Sequence, residues 1–218
     1  MINQKNLESI LKVLESYNAT LVAVSKTKPV EAIREAYGLG QKIFGENYVQ
    51  ELTEKYPQLP SDIKWHFIGH LQSNKIKFIA PFISMIHSVD SFKLLKEINK
   101  EALKNNRIID CLLQVHIAEE ETKFGFTFEE CRDVLASEEI KSLENISIKG
   151  LMGMATLTGN ENQIRKEFHS LNMFFKQLQT SNIKLQTLSM GMTSDYKIAL
   201  LEGSNMVRIG SAIFGERN

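Results

Sequence analysis

The stretch TLVAVSKTKPVEAIREAYGLG, residues 20–40, contains one complete unit of the fold that the sequence predicts. An apolar, β-branched run at 20–25 predicts a buried strand, and apolar residues at spacings of three and four over 30–40 predict a helix. Pro29 suits the first turn of that helix, because the N–H group that proline lacks is unpaired there in any case. A strand, a short loop and a helix in this order form the unit from which parallel sheets are built.

The same unit recurs along the whole chain. The predicted strands are TLVAVS (20–25), QKIFGE (41–46), KWHFIG (64–69), SMIHSV (84–89), DCLLQVHI (110–117), ISIKGLMGM (146–154), LQTLSMG (185–191) and NMVRIG (205–210). Helical spacing appears at 30–40, 90–104, 126–137, 162–179 and 194–203, and residues 1–16 predict an extra amino-terminal helix.

Eight such units predict an α/β fold, a closed (β/α)₈ barrel of the TIM type, as a single domain over residues 1–218. A doubly wound open sheet is the alternative. The sequence has neither G-x-G-x-x-G after the first strand nor G-x-x-x-x-G-K-[ST], the two phosphate-binding loops that would favour an open sheet.

Composition excludes several classes of protein. The 218 residues include 26 basic and 26 acidic side chains and are 43% apolar, so the chain is neither disordered nor collagenous, and it has no broad positive field for nucleic acid. No apolar run approaches the roughly 18 residues of a membrane span, and the amino terminus is not a signal peptide. Cys111 and Cys131 stand apart and predict two buried free thiols, so we expect a cytoplasmic protein.

Lys26 is the first candidate for chemistry. It ends the first strand, at the rim where barrel enzymes place their sites, and it shares strand parity with Val22 and Val24. If those valines point into the barrel, Lys26 projects into its mouth. Partial burial, with Lys28 nearby, would lower its pKa and suit it to form a Schiff base. On this segment alone, two solvated loop lysines remain the alternative.

The last two strands are followed by groups that could hold a phosphate. Thr193, Ser194 and Asp195 suit the start of a helix, and Gly210 and Ser211 end strand eight. Hydroxyl and backbone N–H groups after strands seven and eight form a common phosphate site of barrels. Ordinary helix capping and a tight turn are the alternatives.

Further polar residues stand beside apolar runs. Arg208 lies within MVRIG, and its buried guanidinium would need either a structural carboxylate or a bound ligand. Asn47 follows strand two, and Lys123 follows strand five in a loop that could reach the site. The five histidines show no compact ligand spacing, so no metal site is expected.

Six segments together resemble the pyridoxal phosphate homeostasis protein family, which is similar to the amino-terminal barrel of alanine racemase. They are AVSKTKP, FGENYVQE, WHFIGHLQSNK, GLMGMA, LSMGMTSDY and MVRIGSAIFG, in the family's order from about Leu21 to Phe214. The resemblance implies pyridoxal 5′-phosphate (PLP) bound as a Schiff base on Lys26. It implies phosphate contacts from Thr193, Ser194, Gly210 and Ser211, with Arg208 facing the pyridine nitrogen, Lys123 near the phenolic oxygen, and Asn47 as a neighbour.

The resemblance implies a protein of PLP homeostasis, without robust turnover, whose candidate recipients are apo-enzymes that need PLP. The racemase takes a second base, a tyrosine, from another domain, and this sequence ends at Asn218, so we expect no such base and a monomer. Val30 stands where the racemase has a further tyrosine, and an arginine beside the pyridine nitrogen would weaken the ring as an electron sink. A racemase-like PLP enzyme and a cofactor-free Schiff-base lyase of phosphorylated substrates are the alternatives.

Overall fold

A computed structural model describes residues 2–120, 124–180 and 184–216. The strands are β1 (Thr20–Val24), β2 (Ile43–Glu46), β3 (Lys64–Phe67), β4 (Met85–Val89), β5 (Ile109–Gln114), β6 (Ile146–Met152), β7 (Thr187–Ser189) and β8 (Met206–Ile209). The helices are α1 (Gln4–Ser16), α2 (Val30–Gly38), α3 (Val49–Lys55), α4 (Ile76–Ile79), α5 (Phe92–Lys104), α6 (Phe128–Ala136), α7 (Glu138–Lys141), α8 (Glu161–Thr180), α9 (Tyr196–Leu201) and α10 (Ser211–Phe214).

All eight strands are parallel and form a closed barrel in the order of the chain. The barrel closes where β8 pairs with β1, in a register that sets Leu21 opposite Val207 and Val22 opposite Arg208. This closing pair confirms the predicted (β/α)₈ barrel, and the open-sheet alternative is wrong. The predicted amino-terminal helix is also confirmed, as α1. The Asn3 N–H group, just before α1, donates to the Ile213 carbonyl of α10 at 2.7 Å and so connects the two helices.

Local sequence explains why the longer helices begin where they do. The Asn3 side chain caps α1, Ser91 caps α5, and Thr127 forms a capping box with Glu130 at α6. Pro29 lies one residue before α2 rather than within its first turn. The four-residue helices α4, α7 and α10 were not predicted, because one turn is too short to show a helical period.

The barrel separates two apolar cores. The larger core lies between the outer faces of the strands and the helices. A smaller cluster fills the barrel interior, and its members are Val22, Met85, Leu112, Met152 and Met206. Because side chains alternate along a strand, the residues two positions further toward the carboxyl ends also point inward. On β4 and β8 these are His87 and Arg208, so a polar layer covers the inner apolar layer.

Both cysteines are buried free thiols, as the sequence predicts. Burial raises the pKa of Cys131 to about 12, and burial also raises the pKa of Cys111 far above the ordinary range of a thiol. Within the described residues, no helix is long and apolar enough to cross a membrane.

Candidate ligand site at the barrel mouth

A cavity of about 470 Å³ lies at the carboxyl ends of the strands. Its volume is within the range of small-molecule sites. Seven of the eight residues that the sequence singles out line this one cavity, and they come from four separate parts of the chain. They are Lys26, Asn47, Thr193, Ser194, Arg208, Gly210 and Ser211.

Lys26 reaches the cavity from the end of β1. Val22 belongs to the cluster inside the barrel, and Val24 lines the cavity, so the parity argument that carries Lys26 into the mouth holds. Lys28 also lines the cavity, but its ammonium donates a hydrogen bond to the Glu216 carbonyl at 2.7 Å.

Arg208 is the buried cation of the site, with only 4% of its surface exposed. The guanidinium donates from Nη1 to the Ser189 carbonyl at 2.9 Å and to the Ser189 hydroxyl at 2.6 Å, and from Nη2 to the Gly153 carbonyl at 3.0 Å. Sequence reasoning offered a carboxylate or a ligand as the acceptor, whereas these protein contacts are uncharged. Burial lowers the pKa of Arg208 to about 10, so the group stays charged at neutral pH.

The loops after β7 and β8 meet through their hydroxyl groups. The Ser211 hydroxyl donates to the Thr193 hydroxyl at 3.2 Å. The first turn after Met192 is closed by the Asp195 and Tyr196 N–H groups, which both donate to the Met192 carbonyl. Thr193 and Ser194 lie inside that turn and do not cap α9. The cap position belongs to Asp195, whose side chain accepts from the Met192 N–H.

Glycine sets the conformation of the loop after β7. Gly191 has a φ of +93°, and a Cβ atom there would lie 2.7 Å from the Cβ of Ala199. The turn therefore presses against α9 in a conformation that other residues rarely adopt. At the end of β8, the Ile213 and Phe214 N–H groups donate to the Gly210 carbonyl, which leaves Ser211 in the first turn of α10. First-turn N–H groups lack intrahelical acceptors and suit an anion.

Asn47 presents a carboxamide to the cavity. Its Oδ1 atom is buried, and no residue in the described part of the chain donates a hydrogen bond to it. A buried amide oxygen without a donor is costly, so this atom fits a ligand that supplies a hydrogen-bond donor. Lys123 lies outside the described residues, and its place near the site stays a prediction.

A chain of hydrogen-bonding side chains lies beneath the cavity, and of its four members sequence reasoning singled out only Arg208. His66 Nδ1 is 2.9 Å from His87 Nε2, and His87 Nδ1 is 3.3 Å from the hydroxyl of Ser189, which Arg208 contacts. Because that hydroxyl accepts from Arg208, it can donate to His87, which can in turn donate to His66. Strand alternation was the signal available for His87, since MIHSV sets it two residues after Met85.

A second polar cluster lies outside the barrel, between β1, β2 and α3. Glu46 ends β2 and is not among the described residues that line the cavity. Its Oε1 atom accepts from the Ser25 hydroxyl at 2.7 Å and from Lys55 Nζ at 2.8 Å. Lys55 was missed, because nothing near it in sequence marks a lysine that is 6% exposed. Burial raises the pKa of Glu46, and the Lys55 charge opposes this effect.

No group of three or more His, Cys, Asp or Glu side chains among residues 2–120, 124–180 and 184–216 is placed to hold a metal ion. The polar groups of the cavity are two lysines, an arginine, an amide and two hydroxyl-bearing loops. This set defines a class: a parallel (β/α)₈ barrel with a site for a small anionic ligand at its mouth. The family profile described as "Alanine racemase, N-terminal domain" matches residues 3–218.

Known proteins give the particular family. The pyridoxal phosphate homeostasis protein of Aquifex aeolicus (strain VF5) is 42% identical over 201 residues, which are 91% of this chain and 87% of that protein. The structure of PipY from Synechococcus elongatus PCC7942 with PLP bound is 35% identical and superposes with a TM-score of 0.87, over 97% of this chain and 99% of PipY. The chain belongs to the pyridoxal phosphate homeostasis protein family.

More distant structures share the fold alone. Alanine racemase of Clostridium difficile 630 in complex with cycloserine superposes with a TM-score of 0.76 at 15% identity. The match covers 97% of this chain and 59% of the racemase.

Proposed function

We propose that this protein binds PLP in the barrel mouth through a Schiff base on Lys26, and holds the cofactor for PLP homeostasis without robust turnover. The observation that carries this proposal is the convergence of Lys26, Arg208, Asn47 and the two hydroxyl-bearing loops on one cavity. PipY, which is similar over nearly its whole length, has PLP bound, and the Aquifex aeolicus relative is named for PLP homeostasis.

Each group suits one part of the ligand. PLP supplies an aldehyde carbon, which condenses with a primary amine and releases one water molecule. Lys26 supplies that amine from the end of β1. The Thr193 and Ser211 hydroxyls and the turns around them bind the phosphate group, with help from Ser194 and Gly210. The Asn47 amide oxygen, which lacks a protein donor in the described structure, accepts a hydrogen bond from a donor group of the ligand.

The charge of Arg208 favours binding of PLP without catalysis. Its guanidinium is fixed by Ser189 and Gly153 and keeps its charge at neutral pH. A fixed positive charge beside the pyridine nitrogen disfavours protonation of that nitrogen, because like charges repel. The unprotonated ring accepts electrons poorly, so the proton of a bound amino acid is not readily released.

The first experiment tests the Schiff base. Purified protein incubated with PLP and reduced with borohydride should carry a stable adduct, which peptide mass spectrometry should place on Lys26. The Lys26→Ala variant should lose the adduct. Lys28→Ala is the matched control, because Lys28 lines the same cavity, and it should keep the adduct on Lys26. An adduct on another lysine, or none, contradicts the proposal; no binding of PLP favours the lyase alternative.

The second experiment separates holding from catalysis. Exchange of the α-proton of amino acids in deuterated water is followed with loaded wild-type protein and with Lys26→Ala. We expect no sustained exchange that depends on Lys26. Sustained exchange with racemisation would support the racemase-like alternative.

The third experiment asks where the cofactor goes. Loaded protein is mixed with an apo-enzyme that requires PLP, and recovery of that enzyme's activity is compared with recovery in free PLP at the same concentration. Transfer from the loaded protein is expected, since a homeostasis protein must release what it binds. The expectations of a monomer, one domain and a cytoplasmic location stay predictions.

A further inference from the structure

Lys26 lies between two residues whose positions are fixed from outside the barrel. On one side, the Ser25 hydroxyl donates to Glu46 Oε1 at 2.7 Å, and the Ser25 carbonyl accepts from Lys55 Nζ at 2.8 Å. On the other side, the Thr27 N–H donates to Glu51 Oε1 at 2.5 Å. Both neighbours of Lys26 are therefore tied to side chains of β2 and α3.

Lys55 joins these ties into one unit. Its ammonium donates to the Ser25 carbonyl, to Glu46 and to Glu51, which accounts for all three of its N–H donors. We call Lys55, Glu46 and Glu51 the Lys55 clamp. None of the three is among the described residues that line the cavity.

The Lys55 clamp contacts Thr27, a residue with an unfavourable backbone conformation. Thr27 has a φ of +63°, in the left-handed region, and it is β-branched. A β-branched residue rarely adopts this conformation and keeps it only where surrounding contacts impose it. The hydrogen bond from the Thr27 N–H to Glu51 supplies such a contact.

Stability alone does not explain a buried charged cluster at this place. Glu46 is 0% exposed, and its Oε2 atom has no hydrogen-bond partner in the described structure. The free-energy cost of removing two charges from water offsets most of the attraction between them, so a buried ion pair adds little to the net stability of a protein. Their fixed geometry can instead specify position.

We propose that the Lys55 clamp positions Lys26, by fixing the backbone on both sides of it so that its amine meets the carbonyl carbon of the ligand. Lys55 is a positioning residue and touches no ligand. This inference rests on the proposed role of Lys26, and it adds three residues from β2 and α3 to the determinants of Schiff-base formation.

The rate of Schiff-base formation at Lys26 is the main measurement. Glu51→Gln weakens the tie to Thr27. The double variant Glu46→Gln/Lys55→Met removes the buried Glu46–Lys55 ion pair and leaves only Glu51, whose side chain is 21% exposed, without its ammonium partner. Both should slow borohydride-trapped adduct formation at Lys26 by at least about tenfold and should shift the pKa of the Schiff base in a spectrophotometric titration. Lys42→Met, which breaks the exposed Lys42–Asp62 ion pair of 3.0 Å, should match wild type in both.

A cofactor-free measurement tests the same geometry. Amide hydrogen exchange at Thr27 should accelerate in Glu51→Gln protein that has never met PLP, because the N–H loses a charged acceptor. Thr27→Gly in that background should restore part of the trapping rate, since glycine adopts a positive φ without strain.

The outcomes are distinct. A wild-type protein that forms no adduct on Lys26 overturns the proposed function, whereas the exchange experiment still tests the clamp. If wild-type protein forms the adduct on Lys26, and folded Glu51→Gln protein forms it at the same rate and with the same Schiff-base pKa, the clamp proposal is overturned and the proposed function stands. Circular dichroism checks that each variant folds. If the double variant does not fold, the Glu51→Gln variant alone tests the clamp, because the Glu51 side chain is 21% exposed and its replacement disturbs the core less.

Discussion

Acid should destabilise this protein through the two histidines inside the barrel. His66 is 4% exposed and His87 is fully buried. Burial, together with the charge of Lys64, lowers the pKa of His66 to about 3, and burial holds the pKa of His87 well below its usual value. Each histidine therefore has a lower pKa in the folded protein than in the unfolded chain. As the pH falls, the unfolded chain binds protons at these histidines before the folded protein does. The stabilisation is therefore complete above about pH 6.5 and is lost as pH falls toward 3.

The size of the effect follows from proton linkage. An unfolded histidine with a pKa of about 6.5 gains about 0.2 kcal/mol from protonation at pH 7 and about 2 kcal/mol at pH 5. A histidine that stays neutral in the folded state gains nothing, so the pair should cost about 4 kcal/mol between these two pH values. That loss is a large fraction of the roughly 5–15 kcal/mol of a typical domain. The raised pKa of Glu46 acts in the opposite sense, because the folded state then holds the extra proton.

The assay is urea unfolding at pH 7.0 and pH 5.0, followed by the fluorescence of the buried Trp65. His66→Gln should remove about half of the acid loss, whatever its stability at pH 7.0, because one proton-accepting group is gone. His169→Gln is the control, since its side chain is 59% exposed, and it should keep the full loss. A wild-type loss below about 1 kcal/mol, or the same loss in the His66→Gln/His87→Gln double variant, would refute the reasoning.

Three further predictions concern single groups. Thr193→Val should weaken PLP binding by about 1–3 kcal/mol if its hydroxyl donates to the phosphate, and an unchanged dissociation constant in equilibrium titration would remove Thr193 from the site. Arg208→Lys keeps the charge but cannot reproduce the contacts to Ser189 and Gly153, so it should lower the free energy of unfolding by about 1–3 kcal/mol and shift the absorbance of bound PLP; wild-type spectra would contradict its placement. Cys111 and Cys131 should resist a thiol reagent in native buffer and react in denaturant, and rapid native labelling would show that the thiols are not buried.

The barrel could be predicted because its pattern is local and repeated. Eight apolar runs separated by helical periods leave few architectures, and every predicted run overlaps a strand of the barrel. Short helices such as α7 and α10 were missed because one turn shows no period. Lys26 could be predicted from strand parity and from the rule that barrels bind ligands at the carboxyl ends of their strands. Arg208 could be predicted because a guanidinium within an apolar strand needs an acceptor.

Residues that act through partners distant in sequence could not be predicted. Lys55 reads as an ordinary helix-end lysine until the fold brings it to Glu46 and to the carbonyl of Ser25, 30 residues away. His87 reads as a core residue until β4 and β7 place it against Ser189, 102 residues away.

The sequence by itself determined the number of strands and their order along the chain, because alternation and helical period are written in neighbouring residues. Strand parity indicated Lys26 only on the condition that Val22 and Val24 point into the barrel. Only the tertiary structure decided which groups meet: uncharged acceptors for Arg208, a hydroxyl pair joining two loops, and a clamp around Lys26. Hydrogen bonds form over about 3 Å, and whether two groups come that close depends on the closure of the barrel rather than on their spacing along the chain.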